Sequence, residues 1–247
     1  MEIRINDLVL GDGKPKICVP IVSGTNEAVL EEAEEILNSP CDIVEFRADF
    51  YENVKDADKT CELLGRLKQI LSGKVLLFTI RTKKEGGNLD ISYNEYSHIL
   101  RVVAESRLAE LIDVECYMDK EVPYLISDIQ ACGIRVVGSN HDFYKTDSRE
   151  ELCARLQYIS DTGADIPKLA VMPNVRQDVV NLLTATYDMS LKLGKPVITM
   201  AMGKLGTISR ISGATFGSAV TFGSVRKASA PGQISATELK NILDIVG

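Results

Sequence analysis

The chain has 247 residues, a formal net charge of −7 at pH 7 and a hydrophobic content of 45%. This apolar content is sufficient for a large globular core, and the negative charge argues against nucleic acid or an anionic membrane as a partner. An anionic small molecule remains compatible with the net charge, because arginines can be concentrated locally.

The N-terminal residues lack the apolar core of a signal peptide, and no run of the sequence approaches the ~18 apolar residues that a membrane span needs. Six cysteines are scattered along the chain without a CxxC pair, a pattern typical of reduced thiols. We therefore expect a cytoplasmic location.

Short β-branched runs alternate with longer amphipathic stretches from one end of the chain to the other. The predicted strands are 16–22, 43–49, 74–81, 111–117, 135–141, 166–172, 196–202 and 219–225. The predicted helices are 25–38, 56–71, 94–106, 119–131, 148–161, 175–193 and 235–245. Eight strand–helix units predict an α/β fold, a (β/α)8 TIM barrel, as one domain over residues 1–247.

The first residues indicate a β-hairpin, formed by 2–5 and 8–13, that precedes the first barrel strand and closes the bottom of the barrel. A doubly wound open sheet is the alternative fold. It is disfavoured because no glycine-rich GxGxxG turn follows the first strand.

Lys168 lies within the apolar run 166–173, where a solvated lysine is unexpected. Burial of an ammonium is costly unless the group is paired or neutralised, and full burial can lower a lysine pKa by roughly 3–5 units. A neutral amine in a partly apolar pocket is the nucleophile that imine formation with a carbonyl requires. The ordinary alternative is a lysine at a strand end that reaches solvent.

The predicted strand 43–49 places Glu45, Arg47 and Asp49 on one face, because side chains alternate along a strand with a period of two. Chemistry in a barrel gathers at the C-terminal ends of the strands, which makes this ionic face a candidate for substrate binding. An internal ion-pair network is the alternative interpretation.

Other strands also end in polar residues. Arg81 ends the third predicted strand, and the fourth carries Asp113 and Glu115 on a common face. Of the two histidines, His98 lies in a predicted surface helix, whereas His141 lies at a strand end. An imidazole at that position can act as acid and base near neutral pH.

Two loops complete the predicted rim of the barrel. Arg210 follows the seventh strand, either in the loop or on a short helix. The small, Gly- and Pro-containing segment 228–235 follows the eighth strand and predicts a mobile loop, with Ser229 and Gln233 as hydrogen-bonding groups. Ser235 is better interpreted as the N-cap of the last helix.

The sequence has no HxH or HExxH metal-ligand spacing, no P-loop and no dinucleotide fingerprint, so we expect neither a metal nor a cofactor. A buried lysine, one rim histidine and several arginines predict carbonyl chemistry on an anionic substrate. In this interpretation arginine holds a carboxylate, lysine forms an imine and histidine moves protons.

Six motifs, in their order and spacing, resemble the type I 3-dehydroquinate dehydratases, the Schiff-base enzymes of the shikimate pathway. The motifs are EFRAD at 45–49, FTIR at 78–81 with EGG at 85–87, SNHDF at 139–143, DIPK at 165–168, ISR at 208–210 and KASAPGQ at 227–233. Each motif alone is moderately specific, whereas the ordered set is highly specific and spans nearly the whole chain.

The resemblance implies a lyase that dehydrates 3-dehydroquinate to 3-dehydroshikimate through a Schiff base on Lys168. It implies that His141 shuttles the proton and that Glu85 orients and tunes His141 as the third member of the catalytic set. It also implies substrate contacts from Glu45, Arg47, Arg81, Arg210, Ser229 and Gln233, with Met202 and Phe222 as apolar walls. A homodimer is expected on the same ground.

One position departs from the family pattern. Some family members have a substrate-binding serine near the end of the first barrel strand, where this chain has Pro20. Proline has neither a hydroxyl nor a backbone N–H, so we expect this contact to be lost or to be made by Ser23 or water.

Two other functions share some of these features. Another Schiff-base barrel enzyme, such as a class I aldolase, would retain Lys168 but would usually need a different acid/base group and often a phosphate site. A non-catalytic binding barrel could retain the pocket, but such proteins usually lose the nucleophile or the base, and both are present here.

Overall fold

The computed structural model describes residues 2–226 and 229–246. Lys227 and Ala228, the first two residues of the KASAPGQ motif, lie outside the described residues. The strands are β1 (Ile3–Ile5), β2 (Leu8–Leu10), β3 (Lys16–Ile21), β4 (Ile43–Arg47), β5 (Val75–Thr79), β6 (Leu111–Glu115), β7 (Arg135–Asp142), β8 (Ile166–Val171), β9 (Ile198–Ala201), β10 (Val220–Ser224) and β11 (Ile234–Ser235).

The helices alternate with these strands. They are α1 (Asn26–Leu37), α2 (Ala57–Ile70), α3 (Tyr93–Ser106), α4 (Val122–Ala131), α5 (Arg149–Asp161), α6 (Arg176–Lys192), α7 (Thr207–Ile211), α8 (Gly213–Phe216) and α9 (Ala236–Val246). Among the residues that the structure describes, no helix is both long enough and apolar enough to cross a membrane.

Strands β3 to β10 form a parallel sheet that closes into a barrel. The strand order is β11-β10-β3-β4-β5-β6-β7-β8-β9, and each strand from β3 to β9 pairs in parallel with the next. A parallel bridge between Val197 and Ser218 joins the β9 side to the β10 side. The predicted (β/α)8 barrel is therefore confirmed, and the open doubly wound alternative is wrong.

The alternation of side chains along each strand separates the interior of the barrel from its outer layer. In β8, Ile166 and Ala170 belong to the interior apolar cluster, whereas Leu169 and Val171 pack against the surrounding helices. Lys168 lies between Ile166 and Ala170 on the same face, because side chains with a spacing of two share a face. Strand periodicity thus directs this lysine into the barrel.

The hairpin of β1 and β2 lies at the opposite end of the barrel from the strand C-termini. Its Ile5 and Leu10 are buried in the interior cluster with Ile43 and Val75, the first residues of their strands. The predicted hairpin that closes the bottom of the barrel is therefore present.

Two details of the predicted elements change. The predicted strand 43–49 ends at Arg47, and Asp49 lies in a 3-10 helix over Ala48–Phe50 that turns the chain away from the sheet. The two-residue strand β11 was not predicted, because two residues carry no periodic signal. Ser235 accepts a hydrogen bond from the Glu238 N–H at 3.2 Å, as expected of an N-cap.

Close packing between strand β7 and helix α5 makes one glycine essential for stability. A Cβ added to Gly138 would lie 2.5 Å from Ala164 Cβ and 2.9 Å from Cys116 Sγ. We expect Gly138→Ala to lower the free energy of unfolding by about 1–3 kcal/mol through overpacking, as measured by urea denaturation. Gly65→Ala, in α2 with nothing within 4 Å, is the control and should raise it by roughly 0.5–1 kcal/mol. Equal stability of the two variants would contradict the packing argument.

Candidate active site

A cavity of about 460 Å³ opens at the C-terminal ends of the barrel strands. Its volume is typical of sites for small molecules, and its position is that of the active sites of TIM barrels. The lining residues are Glu45, Arg47, Arg81, Gly86, His141, Phe143, Lys168, Ala170, Met200, Met202, Phe222, Ser229, Ala230 and Gln233.

Lys168 is only 3% exposed, yet its surroundings are not the apolar pocket inferred from its sequence neighbours. Its Nζ donates a hydrogen bond to Asp113 Oδ2 at 3.2 Å and lies 3.7 Å from Glu45 Oε1. Nζ also lies 4.7 Å from the ring centroid of Phe222, a cation–π distance. Two carboxylates and one aromatic ring therefore fix the position of the amine.

Arg81 belongs to the same buried network. Its Nη2 donates to Asp113 Oδ1 at 2.8 Å, and its Nη1 donates to Glu115 Oε1 at 3.0 Å and to Ser139 Oγ at 2.9 Å. Burial raises the pKa of Asp113, but the charges of Arg81 and Lys168 outweigh burial and hold this pKa below its ordinary value. Asp113 is thus an ionised carboxylate that serves two cations.

Arg47 also has an internal counter-charge. Its Nε and Nη2 donate to the two oxygens of Asp49 at 2.8 and 2.9 Å. Asp49 further accepts the backbone N–H groups of Arg81 at 3.3 Å and Asn88 at 3.1 Å. One buried carboxylate therefore joins the end of β4 to the loop after β5.

His141 is paired with Glu85, whose Oε2 lies 2.8 Å from the imidazole Nδ1. Burial, together with Arg81 and Lys168, lowers the pKa of His141 well below its ordinary value. Burial and the neighbouring Glu115 raise the pKa of Glu85 to about 8. The imidazole is therefore neutral at pH 7, as a general base must be.

Arg210, in α7, differs from the other arginines of the site. It is 1% exposed, and in the part of the chain that the structure describes no carboxylate lies within ion-pair distance of its guanidinium. Its Nη1 and Nη2 donate to the carbonyls of Phe222 at 3.4 Å and Pro231 at 3.0 Å, and its Nε is buried without a hydrogen-bond partner. Burial lowers the pKa of Arg210 to about 10, which leaves the group charged at neutral pH.

The loop 229–233, here called the rim loop, lies across one side of the cavity. The Ser229 N–H donates to Gln233 Oε1 at 2.9 Å, and Gln233 Nε2 donates to Ser229 Oγ at 3.0 Å. The Pro231 carbonyl accepts from the Gly203 N–H at 3.1 Å as well as from Arg210. The rim loop is therefore fastened to the β9 side of the barrel mouth through one carbonyl.

The cavity brings together most of the site residues predicted from the sequence. Those that line it are Lys168, His141, Glu45, Arg47, Arg81, Ser229, Gln233, Met202 and Phe222. Glu85 and Arg210 do not line it: Glu85 lies behind His141, and Arg210 lies behind the rim loop.

The comparisons with known proteins agree with this geometry. The family model for type I 3-dehydroquinase matches residues 17–247. The chain belongs to the type I 3-dehydroquinase family.

Relatives of the family match along nearly the whole chain. The 3-dehydroquinate dehydratase of Bacillus licheniformis is 44% identical over 99% of this chain and 97% of its own length. The type I 3-dehydroquinate dehydratase of Clostridium difficile, solved with covalently modified comenic acid, is 40% identical with a TM-score of 0.96, covering 100% of this chain and 98% of that one. The Geobacillus kaustophilus structure of 3-dehydroquinate dehydratase has a TM-score of 0.97 at 35% identity, covering 100% of this chain and 96% of that one.

Several residues around the site were not selected from the sequence. Asp113 was noted on its strand but not assigned to the site, although its carboxylate contacts both Lys168 and Arg81. Phe143 and Met200 line the cavity two positions from His141 and Met202. Extending the period-two spacing along each strand from a chosen residue would have found both.

The departure at Pro20 leaves no visible substitute for a serine hydroxyl. Pro20 is buried in β3, opposite Glu45 in the strand register. The hydroxyl of Ser23 donates to Glu32 Oε2 at 2.7 Å, so this group already has an acceptor. The expectation that Ser23 replaces the missing contact therefore requires that hydrogen bond to be exchanged.

The contrast between Arg81 and Arg210 predicts opposite effects on stability. Arg81→Met leaves Asp113 and Glu115 buried without their shared cation, and we expect a loss of about 3–5 kcal/mol in the free energy of unfolding. Arg210→Met removes a buried cation that has no carboxylate partner within residues 2–226 and 229–246, so stability should be unchanged or higher. Guanidinium denaturation of both variants is the measurement. A similar loss for both would show that Arg210 is also a structural cation.

Proposed function

We propose that this protein dehydrates 3-dehydroquinate to 3-dehydroshikimate, as a hydro-lyase of the shikimate pathway that works through a Schiff base on Lys168. Family membership supports the substrate and the reaction. The observation that carries the site assignment is one cavity that holds a buried amine, a neutral imidazole and, behind its rim, an arginine without an internal counter-charge.

The amine of Lys168 attacks the ring ketone, and loss of water gives a protonated imine. Before this step the carboxylates of Asp113 and Glu45 attract the ammonium form, and after it they stabilise the positive charge of the imine. The protonated imine then draws electrons from the neighbouring carbon, which makes its C–H bond acidic.

His141 moves the proton in this mechanism. Its neutral imidazole takes a proton from the carbon next to the imine and leaves an enamine. The β-hydroxyl then departs with a proton returned by the imidazolium, so that one water molecule is lost. A second water hydrolyses the imine, releasing the product ketone and the free amine. Glu85, 2.8 Å from Nδ1, orients the ring and stabilises its cationic form.

Recognition of the substrate carboxylate falls to Arg210. Asp49 neutralises Arg47, and Asp113 with Glu115 neutralises Arg81, so these two arginines have no net charge to offer an anion. Arg210 has unused donor capacity at its buried Nε and can fork two hydrogen bonds to a carboxylate. Its guanidinium would exchange the Pro231 carbonyl for the ligand.

The remaining residues fit the rest of a polyhydroxylated ring acid. Polar contacts are assigned to Glu45, Arg47, Arg81, Ser229 and Gln233, and apolar contacts to Met202 and Phe222. In this proposal the rim loop closes over bound substrate, since Ser229 and Gln233 already occupy its inner side.

The proposed setting is the cytoplasm, and the proposed assembly is a homodimer. The cytoplasmic location is supported by the cysteines: all six lie within the described residues and are free thiols. The homodimer follows from the family resemblance alone.

Imine formation on Lys168 can be tested by trapping. Borohydride treatment in the presence of 3-dehydroquinate should add the mass of one ligand to the native protein, because reduction converts the imine to a stable secondary amine. Lys168→Ala should give no adduct and no dehydration. The measurement is intact-mass analysis followed by peptide mapping.

His141→Ala is the matched control for this experiment, because it leaves the amine in place. It should still form the adduct while its turnover falls by at least ~10²-fold. An adduct on another lysine would remove Lys168 from the mechanism, and normal turnover in His141→Ala would remove the histidine.

The carboxylate clamp can be tested by Arg210→Lys. A lysine keeps the charge but offers a point donor rather than a fork, so KM for 3-dehydroquinate should rise by roughly tenfold or more, the effect of losing about 1.4 kcal/mol of binding. Arg135→Lys, in an exposed ion pair with Asp165 at the start of β7, is the control and should leave KM unchanged. An unchanged kcat/KM in Arg210→Lys would assign the substrate carboxylate to another group.

A further inference from the structure

Asn140 connects the candidate active site to the outer helical layer. It precedes His141 in β7, and its side chain lies between Glu85 and Arg155 of α5. Asn140 Nδ2 donates to Glu85 Oε1 at 2.9 Å, and Asn140 Oδ1 accepts from Arg155 Nε at 3.1 Å and from Arg155 Nη2. Asn140 is itself absent from the lining of the cavity.

The chemistry of the two neighbours leaves only one orientation for the amide. A guanidinium has donors and no acceptor, whereas an ionised carboxylate has acceptors and no donor. The Asn140 carbonyl must therefore face Arg155 and its NH2 group must face Glu85. Arg155 is itself held by a hydrogen bond from Nη1 to Asp147 Oδ2 at 2.9 Å, so the amide has a fixed support.

We infer that Asn140 and Arg155 are positioning residues for the reaction: Arg155 fixes the Asn140 amide, which holds Glu85 Oε1 and leaves Glu85 Oε2 for His141 Nδ1. This inference deepens the proposed function and rests on the proton-transfer role of His141 within it. It gives helix α5, on the outside of the barrel, a part in aligning the base.

The charges around the pair make this hydrogen bond important. Burial raises the pKa of Glu85, and the Asn140 N–H donor is one of the groups that oppose the rise. Charged groups from five other elements or loops also act on Glu85 or His141: Arg47, Arg81, Asp113, Glu115, Lys168 and Arg155. Loss of the amide donor therefore leaves Glu85 protonated to a higher pH.

Asn140→Asp is the decisive variant because it changes the donor to an acceptor with almost no change in shape. The new carboxylate pairs with Arg155, so a role limited to holding α5 against β7 would be preserved. It also places a second negative charge beside Glu85, which raises the pKa of Glu85. The acid limb of kcat/KM should therefore move to higher pH by about one unit or more.

The kinetic test compares kcat, KM and the pH profile of the purified full-length variants. We expect Asn140→Asp to lower kcat by roughly 10–100-fold, the range seen for outer partners of ligating histidines, with little change in KM because the residue does not line the cavity. Arg155→Met should show the same direction of effect on kcat, and Arg155→Lys, which restores one donor to the amide carbonyl, should recover part of it. Asn174→Asp, an exposed amide-to-acid change, controls for the added charge.

A second readout does not depend on turnover. With His98 replaced by Gln, the ¹⁵N NMR signals of the imidazole report His141 alone. On the plateau of the wild-type profile the ring proton should lie on Nδ1, directed at ionised Glu85. In Asn140→Asp, Glu85 keeps its proton and donates it to Nδ1, so the ring proton should lie on Nε2.

The two readouts separate this inference from the proposed function. A wild-type pH profile and tautomer in Asn140→Asp would overturn the inference, even if His141→Ala is inactive. Normal turnover in His141→Ala would instead remove the proton-transfer role on which the inference rests. If Asn140→Asp fails to fold, the partly exposed Arg155 still decides the matter, because an unchanged profile and tautomer in Arg155→Met would equally overturn it.

Discussion

Buried cations at the mouth of this barrel must be matched by carboxylates, and the rest of the site depends on how that requirement is met. A charge taken out of water is tolerated only when it is paired and hydrogen-bonded. Asp113 matches two cations at once, with Arg81 on one oxygen and Lys168 on the other. The network that stabilises the packing of β5, β6 and β8 therefore also determines where the amine lies.

The same requirement makes the exception informative. Arg47 and Arg81 have internal carboxylates, whereas Arg210 is bound only to backbone carbonyls and has an unpaired Nε. An unmatched buried guanidinium is unfavourable for the protein alone and favourable for an anion that reaches it. This is the exchange of stability for function that binding sites commonly make.

The histidine of the site is held by contacts that extend well beyond the cavity. His141 contacts Glu85, Glu85 contacts Asn140, and Asn140 contacts Arg155 on the outer helical layer. Each partner restricts the next, so that a ring at the barrel mouth is oriented by a helix on the barrel surface. Rigid support of this kind is what proton transfer at a defined atom requires.

The sequence by itself determined the order of strands and helices, the barrel and most residues of the cavity, because these follow from local patterns. Period-two alternation directs Lys168 inward, and the position at a strand end brings His141 and Arg81 to the same rim. Tertiary structure alone decided which charges neutralise one another. Asp113 is 55 residues from Lys168 and 32 from Arg81, and no local pattern records a distance across neighbouring strands. The free arginine could be distinguished from the paired ones only after the chain had folded, because electrostatic pairing depends on separation in space rather than on position in the sequence.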